Sequence, residues 1–165
     1  DALPISIKEM SFSEFLNNGL KSLIGYTALL VMLAVGYQTA SSHWLIEVWQ
    51  GSGTLSVLFF PIITYLLLQN LLNKHFNGKI RFLYLLTAGM LLHWLAALGV
   101  GTIIGISYQL DIDIYNTGGT NPFANKPFYH IYNGYFRWYS IFGIVSSLLA
   151  IGVLYLKIQF GKRRN

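Results

Sequence analysis

The run Phe82-Leu83-Tyr84-Leu85-Leu86-Thr87-Ala88-Gly89-Met90-Leu91-Leu92-His93-Trp94-Leu95-Ala96-Ala97-Leu98-Gly99-Val100-Gly101-Thr102-Ile103-Ile104-Gly105-Ile106 decides the architecture. It holds no Asp, Glu or Arg. A helix of about 20 predominantly apolar residues crosses a hydrocarbon core of about 30 Å, so this run is long enough to span a bilayer. Three more stretches share its character, over about 20–40, 54–72 and 139–158, with Lys157 placed where its stem can snorkel to the interface. Composition agrees. The 165 residues are 54% hydrophobic and 10% charged, with no cysteine, against about 25% charged in a soluble domain. The wealth of aromatics excludes disorder, and the Lys and Arg residues form no interleaved basic stripe, so no nucleic-acid partner is expected. The expected fold is all-α. It is a polytopic integral membrane helical bundle, one membrane domain over residues 1–165, with about four transmembrane helices (82–106 the third) and an outer loop over 107–138.

Orientation follows from the basic residues. With the amino terminus inside, the inner side holds Lys8, Lys21, Lys74, Lys79, Arg81, Lys157, Lys162, Arg163 and Arg164, and the outer side only Lys126 and Arg137. Both termini are therefore expected on the cytoplasmic side of a plasma or bacterial inner membrane. A rival for the first span is a cleaved signal peptide ending near Ala40-Ser41-Ser42. The long polar lead and the three later spans weigh against it. The chain does not begin with Met, and Asp1-Ala2-Leu3-Pro4-Ile5 resembles a translated sequencing-adapter tail. The two readings are a carboxy-terminal fragment of a longer protein, with four spans as a minimum, and an ordinary polar terminus of a processed or trimmed chain.

Ahead of the first span, Ser11-Phe12-Ser13-Glu14 has the spacing of a capping box. Apolar residues recur at Phe12, Phe15, Leu16, Leu20 and Leu23, with Ser13, Glu14, Asn17, Asn18 and Lys21 on the other face. The pattern predicts an amphipathic helix on the cytoplasmic interface before the chain turns into the bilayer. It would receive force from a partner, or simply anchor the chain. After the first span, Trp44 and Trp49 suit a headgroup boundary, and His43 and Glu47 would share a helix face. Gly51-Ser52-Gly53 fails the Gly-x-Ser-Gly of intramembrane serine proteases, because Gln50 stands at the required glycine.

In the second span Pro61 predicts a bend near residues 57–61, and Thr64, Tyr65, Gln69 and Asn70 either line a polar path or bond to neighbouring helices. In the third, Ala97, Gly101 and Gly105 repeat every four residues, a stripe for close helix packing. His93 is one step back on the same face, about 16 Å from Phe82 and close to mid-membrane. With His93, the residues Thr64, Tyr65 and Gln69 form the candidate polar intramembrane site. Haem ligation lacks an axial partner at that depth, and proton relay lacks a buried carboxylate, which leaves a neutral imidazole bonded to a Ser, Thr or Tyr. No cofactor or metal is expected. In the fourth span Gly143 with Ser147, and Ser146 with Ala150, suggest packing.

Within the outer loop, Leu110 to Tyr115 alternates like a strand and Asn116-Thr117-Gly118-Gly119-Thr120 reads as a turn. Tyr115 spoils a calcium loop. The aromatic run Phe128 to Tyr139 reads as an interfacial segment. Asp111, Asp113, His130 and Arg137, with Lys126 nearby, form a candidate outer-loop site whose spacing matches no particular mechanism.

Three features together, the Ser11–Leu23 lead, Leu58-Phe59-Phe60-Pro61-Ile62 and the basic turn Gly78-Lys79-Ile80-Arg81-Phe82, resemble in pattern the membrane (permease) subunits of exporter-type ABC transporters. That resemblance implies a transport subunit driven by a separate cytoplasmic ATPase, since this chain has no G-x-x-x-x-G-K-[ST]. Lipid, other membrane subunits or further copies of the chain are the expected partners. The alternatives are a structural scaffold, and below it an enzyme using His93 or His130.

Overall fold

A computed structural model describes residues 11–44, 57–75, 82–110, 112 and 128–162. Among these the chain is all-helical: α1 (Phe12–Trp44), α2 (Phe59–His75), α3 (Phe82–Gln109) and α4 (Phe128–Lys162). Three helices are long and apolar enough to cross a membrane, over Phe12–Tyr37, Phe82–Gln109 and Ile131–Phe160. The second expected span is shorter. Its apolar part, Phe59–Asn73, falls below that length; residues 54–56 lie outside the described residues.

Capping starts α1 as its sequence indicates. The Ser11 backbone N–H donates to Glu14 Oε2 at 3.0 Å, and the Glu14 N–H donates to Ser11 Oγ at 3.2 Å. Two amides that the helix start leaves without partners are thus satisfied reciprocally. The expected turn between lead and span is absent: α1 runs unbroken through both. Packing explains this. Phe15, Leu23, Leu30 and Ala34 form one buried stripe, and Gly19 lies in it, where an added Cβ would stand 2.9 Å from Leu71 of α2. Phe15 also stacks near Tyr84 of α3, with centroids 5.3 Å apart. The lead is held on the bundle instead of lying apart from it. Leu20, expected on the apolar face, is exposed, while Ser13, Glu14, Asn17, Asn18 and Lys21 are exposed as expected.

Pro61 does not bend a helix interior. It falls in the first turn of α2, where its missing N–H would have had no intrahelical acceptor. The expected loop 107–138 is shortened from both sides, because α3 continues to Gln109 and α4 begins at Phe128. Leu110 caps α3 in a turn, its N–H directed at the carbonyls of Ile106 and Ser107. The remaining strand and turn positions lie outside the described residues, apart from Ile112, whose N–H also donates to the Ser107 carbonyl. The aromatic run Phe128 to Tyr139 is helical.

The widest helix pairing is α3 with α4; α2 also lies against α4, and α1 against both α3 and α2. Leu30, Leu67, Leu92 and Ile151 are fully or almost fully buried where the helices meet. The outward faces are apolar too: Ile24, Met32, Leu98, Ile141, Leu148 and Leu156 are exposed. A water-facing bundle would carry charge there.

Candidate functional site

The site is built on the stripe of α3. Gly89, His93, Ala97, Gly101 and Gly105 recur every four residues and all are buried. Small residues at that spacing make a smooth groove along a helix, and α4 fills it. A Cβ added to Gly101 would meet the Tyr132 ring at 2.8 Å, and one added to Gly89 would collide with Ser147. Reciprocally, a Cβ at Gly143 would come 3.0 Å from the Cβ of His93. Hydrogen bonds follow the same antiparallel register. Trp94 Nε1 donates to Ser140 Oγ at 3.0 Å, and Thr102 Oγ1 lies 2.8 Å from the Tyr132 hydroxyl. Thr102 gives its own proton to the Leu98 carbonyl, so Tyr132 is the donor. Gly143 and Ser147 thus pack against α3, and the stripe is occupied within the chain.

His93 is fully buried, as is Thr64 of α2. Nε2 of His93 and Oγ1 of Thr64 are 2.9 Å apart. Thr64 Oγ1 also donates to the Phe60 carbonyl at 2.7 Å. A threonine hydroxyl has one proton; spent on Phe60, it leaves the oxygen as acceptor toward His93. Nε2 therefore carries the hydrogen of that contact. Among the described residues Nδ1, on the other side of the ring, has no hydrogen-bond partner, and neither does the buried Ser147 hydroxyl. Both belong to one layer, since Ser147 sits against Gly89 with Thr64 beside it. Aromatic rings close the layer. Phe60 meets the imidazole edge-on with centroids 5.4 Å apart, and Tyr139 lies 4.8 Å from Phe60 and 6.4 Å from His93.

Of the four residues expected to form a polar intramembrane site, the structure joins His93 and Thr64 alone. Tyr65 lines a groove between α2 and α4, and Gln69 is half-buried one turn further along α2. Asn70 belongs to a separate bracket. Its Oδ1 accepts from Ser22 Oγ at 3.3 Å and its Nδ2 donates to the Tyr26 hydroxyl at 3.4 Å, linking α2 to α1. In the outer group, Asp111 and Asp113 lie outside the described residues, as does the side chain of His130, while Arg137 is exposed on α4. Glu47, Trp49 and Gly51-Ser52-Gly53 also lie outside the described residues, as do the side chains of His43 and Trp44. Among the described residues no three His, Asp or Glu side chains gather as metal ligands would.

Sequence reasoning overlooked several of these residues. Gly89 carries the same four-residue signal as Gly101 and was there to be read. Gly99, where an added Cβ would meet Val31 of α1 at 2.8 Å, lies off the stripe and gives no periodic sign. Ser22, Tyr26, Phe60 and Tyr139 depend on how helices are rotated against each other, which no local spacing encodes.

Comparison with protein-family models, with curated proteins and with solved structures found no match to this chain.

Proposed function

We propose that the chain is a polytopic membrane subunit whose four helices cross a plasma or bacterial inner membrane with both termini in the cytoplasm. The subunit is transport-related and permease-like, and a separate cytoplasmic ATPase drives it. The membrane part rests on the apolar outward faces and on the three long apolar helices. The transport part rests on one observation, the lead of α1. Its inner face is locked against α2 and α3 through Gly19 and Phe15, while Ser13, Glu14, Asn17, Asn18 and Lys21 stay exposed. A continuous helix gripped on one side and polar on the other passes a push at its end directly into the bundle. The scaffold reading drew on the small-residue stripe as a surface for a neighbouring subunit, and α4 packs on that stripe at Gly89, His93 and Gly101. An enzyme using His93 would need a partner group in reach, and among the described residues the hydrogen-bond contact of His93 is a threonine already committed to a carbonyl.

The test is purification of the chain from its native membrane in mild detergent. An ATPase should co-purify, and its hydrolysis rate should depend on the chain. Reversing the polar face with Asn18→Asp and Lys21→Glu should lower that stimulation without lowering the amount of chain in the membrane. Recovery of a stable monomer with no ATPase would overturn the transport reading.

A further inference from the structure

Tyr65 and Gln69, which do not reach His93, share a face of α2 with Ile62 and Leu66. That face meets α4 in an open groove of about 260 Å³, lined by Ile62, Tyr65 and Leu66 from one helix and Leu149, Ala150 and Val153 from the other. The two helices run parallel here, since Phe60 meets Tyr139 and Phe142 while Ile62, Tyr65 and Leu66 face Leu149, Ala150 and Val153 across the groove. Following both helices toward their carboxy ends therefore continues the groove. Side chains three, four and seven residues apart share a face. On α2 the next such position is Gln69, seven after Ile62, then Asn73, seven after Leu66. On α4 it is Lys157, four after Val153 and seven after Ala150. Asn73 and Lys157 are exposed and Gln69 is half-buried. An apolar trough thus leads, within about 10 Å, to two amides and one cation.

We infer that this groove binds one anionic phospholipid of the inner leaflet, its acyl chain along Ile62–Leu66 and Leu149–Val153, past Gln69, and its phosphate beside Lys157, with Asn73 at the same end. The inference rests on the membrane placement proposed above. Charge selects the occupant. A zwitterionic lipid would fill the trough equally well, but its own head-group cation offsets what its phosphate gains beside Lys157, and a second apolar helix would gain nothing there. Depth agrees. Lys157 lies fourteen residues, about 21 Å, from Gly143, which faces the near-central His93, so its ammonium stands beyond a hydrocarbon half-thickness of about 15 Å. A basic side chain between helices at headgroup level is a recurrent way of holding acidic lipids.

Native mass spectrometry of the full chain in mild detergent, titrated with phosphatidylglycerol or phosphatidylcholine, reads the site. The wild-type chain should retain one phosphatidylglycerol in preference to phosphatidylcholine. Lys157→Ala should reduce that preference about fivefold, and Lys157→Arg should keep it. Val153→Trp, which fills the trough from its exposed rim, should lose retention of both lipids. Equal retention of the two lipids by the wild-type chain, or an unchanged preference in Lys157→Ala, would overturn the inference. A dimer abolished by Val153→Trp would assign the groove to a second copy and overturn it too. Alkaline carbonate extraction separates the two levels: a chain released from membranes removes the membrane placement and the lipid site together, whereas a retained chain with unchanged lipid preference removes only the site.

Discussion

At Gly143 a methyl group would be tight, since an added Cβ would stand 3.0 Å from the Cβ of His93 and a larger side chain would force the two helices apart. Gly143→Val should therefore destabilise the bundle by about 2 kcal/mol through overpacking, seen as a lower midpoint of unfolding in mixed micelles. Gly152 on the same helix is the control. It is exposed, and an added Cβ there meets nothing within 4 Å, so Gly152→Ala should be neutral or stabilise by up to about 1 kcal/mol. The polar layer gives a second contrast. Thr64→Val strips the acceptor from His93 Nε2 and leaves a buried donor unpaired, which should cost about 1 kcal/mol. Ser147→Ala removes a hydroxyl that has no partner among the described residues, so the same measurement should show no loss or a small gain. A loss of similar size in both variants would contradict the assigned pairing.

Elements differed in how far local sequence revealed them. The capping box was legible because both of its bonds close within four residues. Removing it with Ser11→Ala should fray the first turn at a cost of about 1 kcal/mol. Hydrogen exchange should then quicken near Phe12 and Phe15 and stay unchanged in α3. The core of α3 was legible because an uninterrupted apolar run has one reading at that length. The start of α4 was not. Residues 128–138 mix Tyr, His, Asn and Arg with aromatics, so hydropathy stops near Tyr139, yet Ile131 is buried and Tyr132 packs against Gly101 of α3. Tertiary contact extends that helix, and contact is invisible to a hydropathy window. For α2, the apolar run was legible but its start was not, because proline in a helix interior and proline in a first turn look alike in sequence.

For the whole molecule, four contacts along the α3–α4 seam obey one antiparallel register: Thr102 with Tyr132, Trp94 with Ser140, His93 with Gly143, Gly89 with Ser147. The proposed topology can be checked on this frame, since the chain has no native cysteine to interfere. Cysteines introduced at Ser13 and Gln159 should react with an impermeant maleimide only in inside-out vesicles. One introduced at Asn133 should react only from the opposite face, and any reversal would refute the both-termini-inside arrangement.

The seam also has a mechanical side. A ladder of small residues spaced by four offers nearly equivalent settings one turn, or about 6 Å, apart, and helices sliding past each other by one turn is a known mode of conformational change. Tyr132 would find glycine at position 105 as readily as at 101. His93 breaks that equivalence. A slip of one turn either way would carry its imidazole from Gly143 onto Ser147 or Tyr139, and it would part from Thr64. The single bulky rung on a smooth track acts as a detent, which holds α3 and α4 at one notch of a ratchet that the glycines alone would leave free to move.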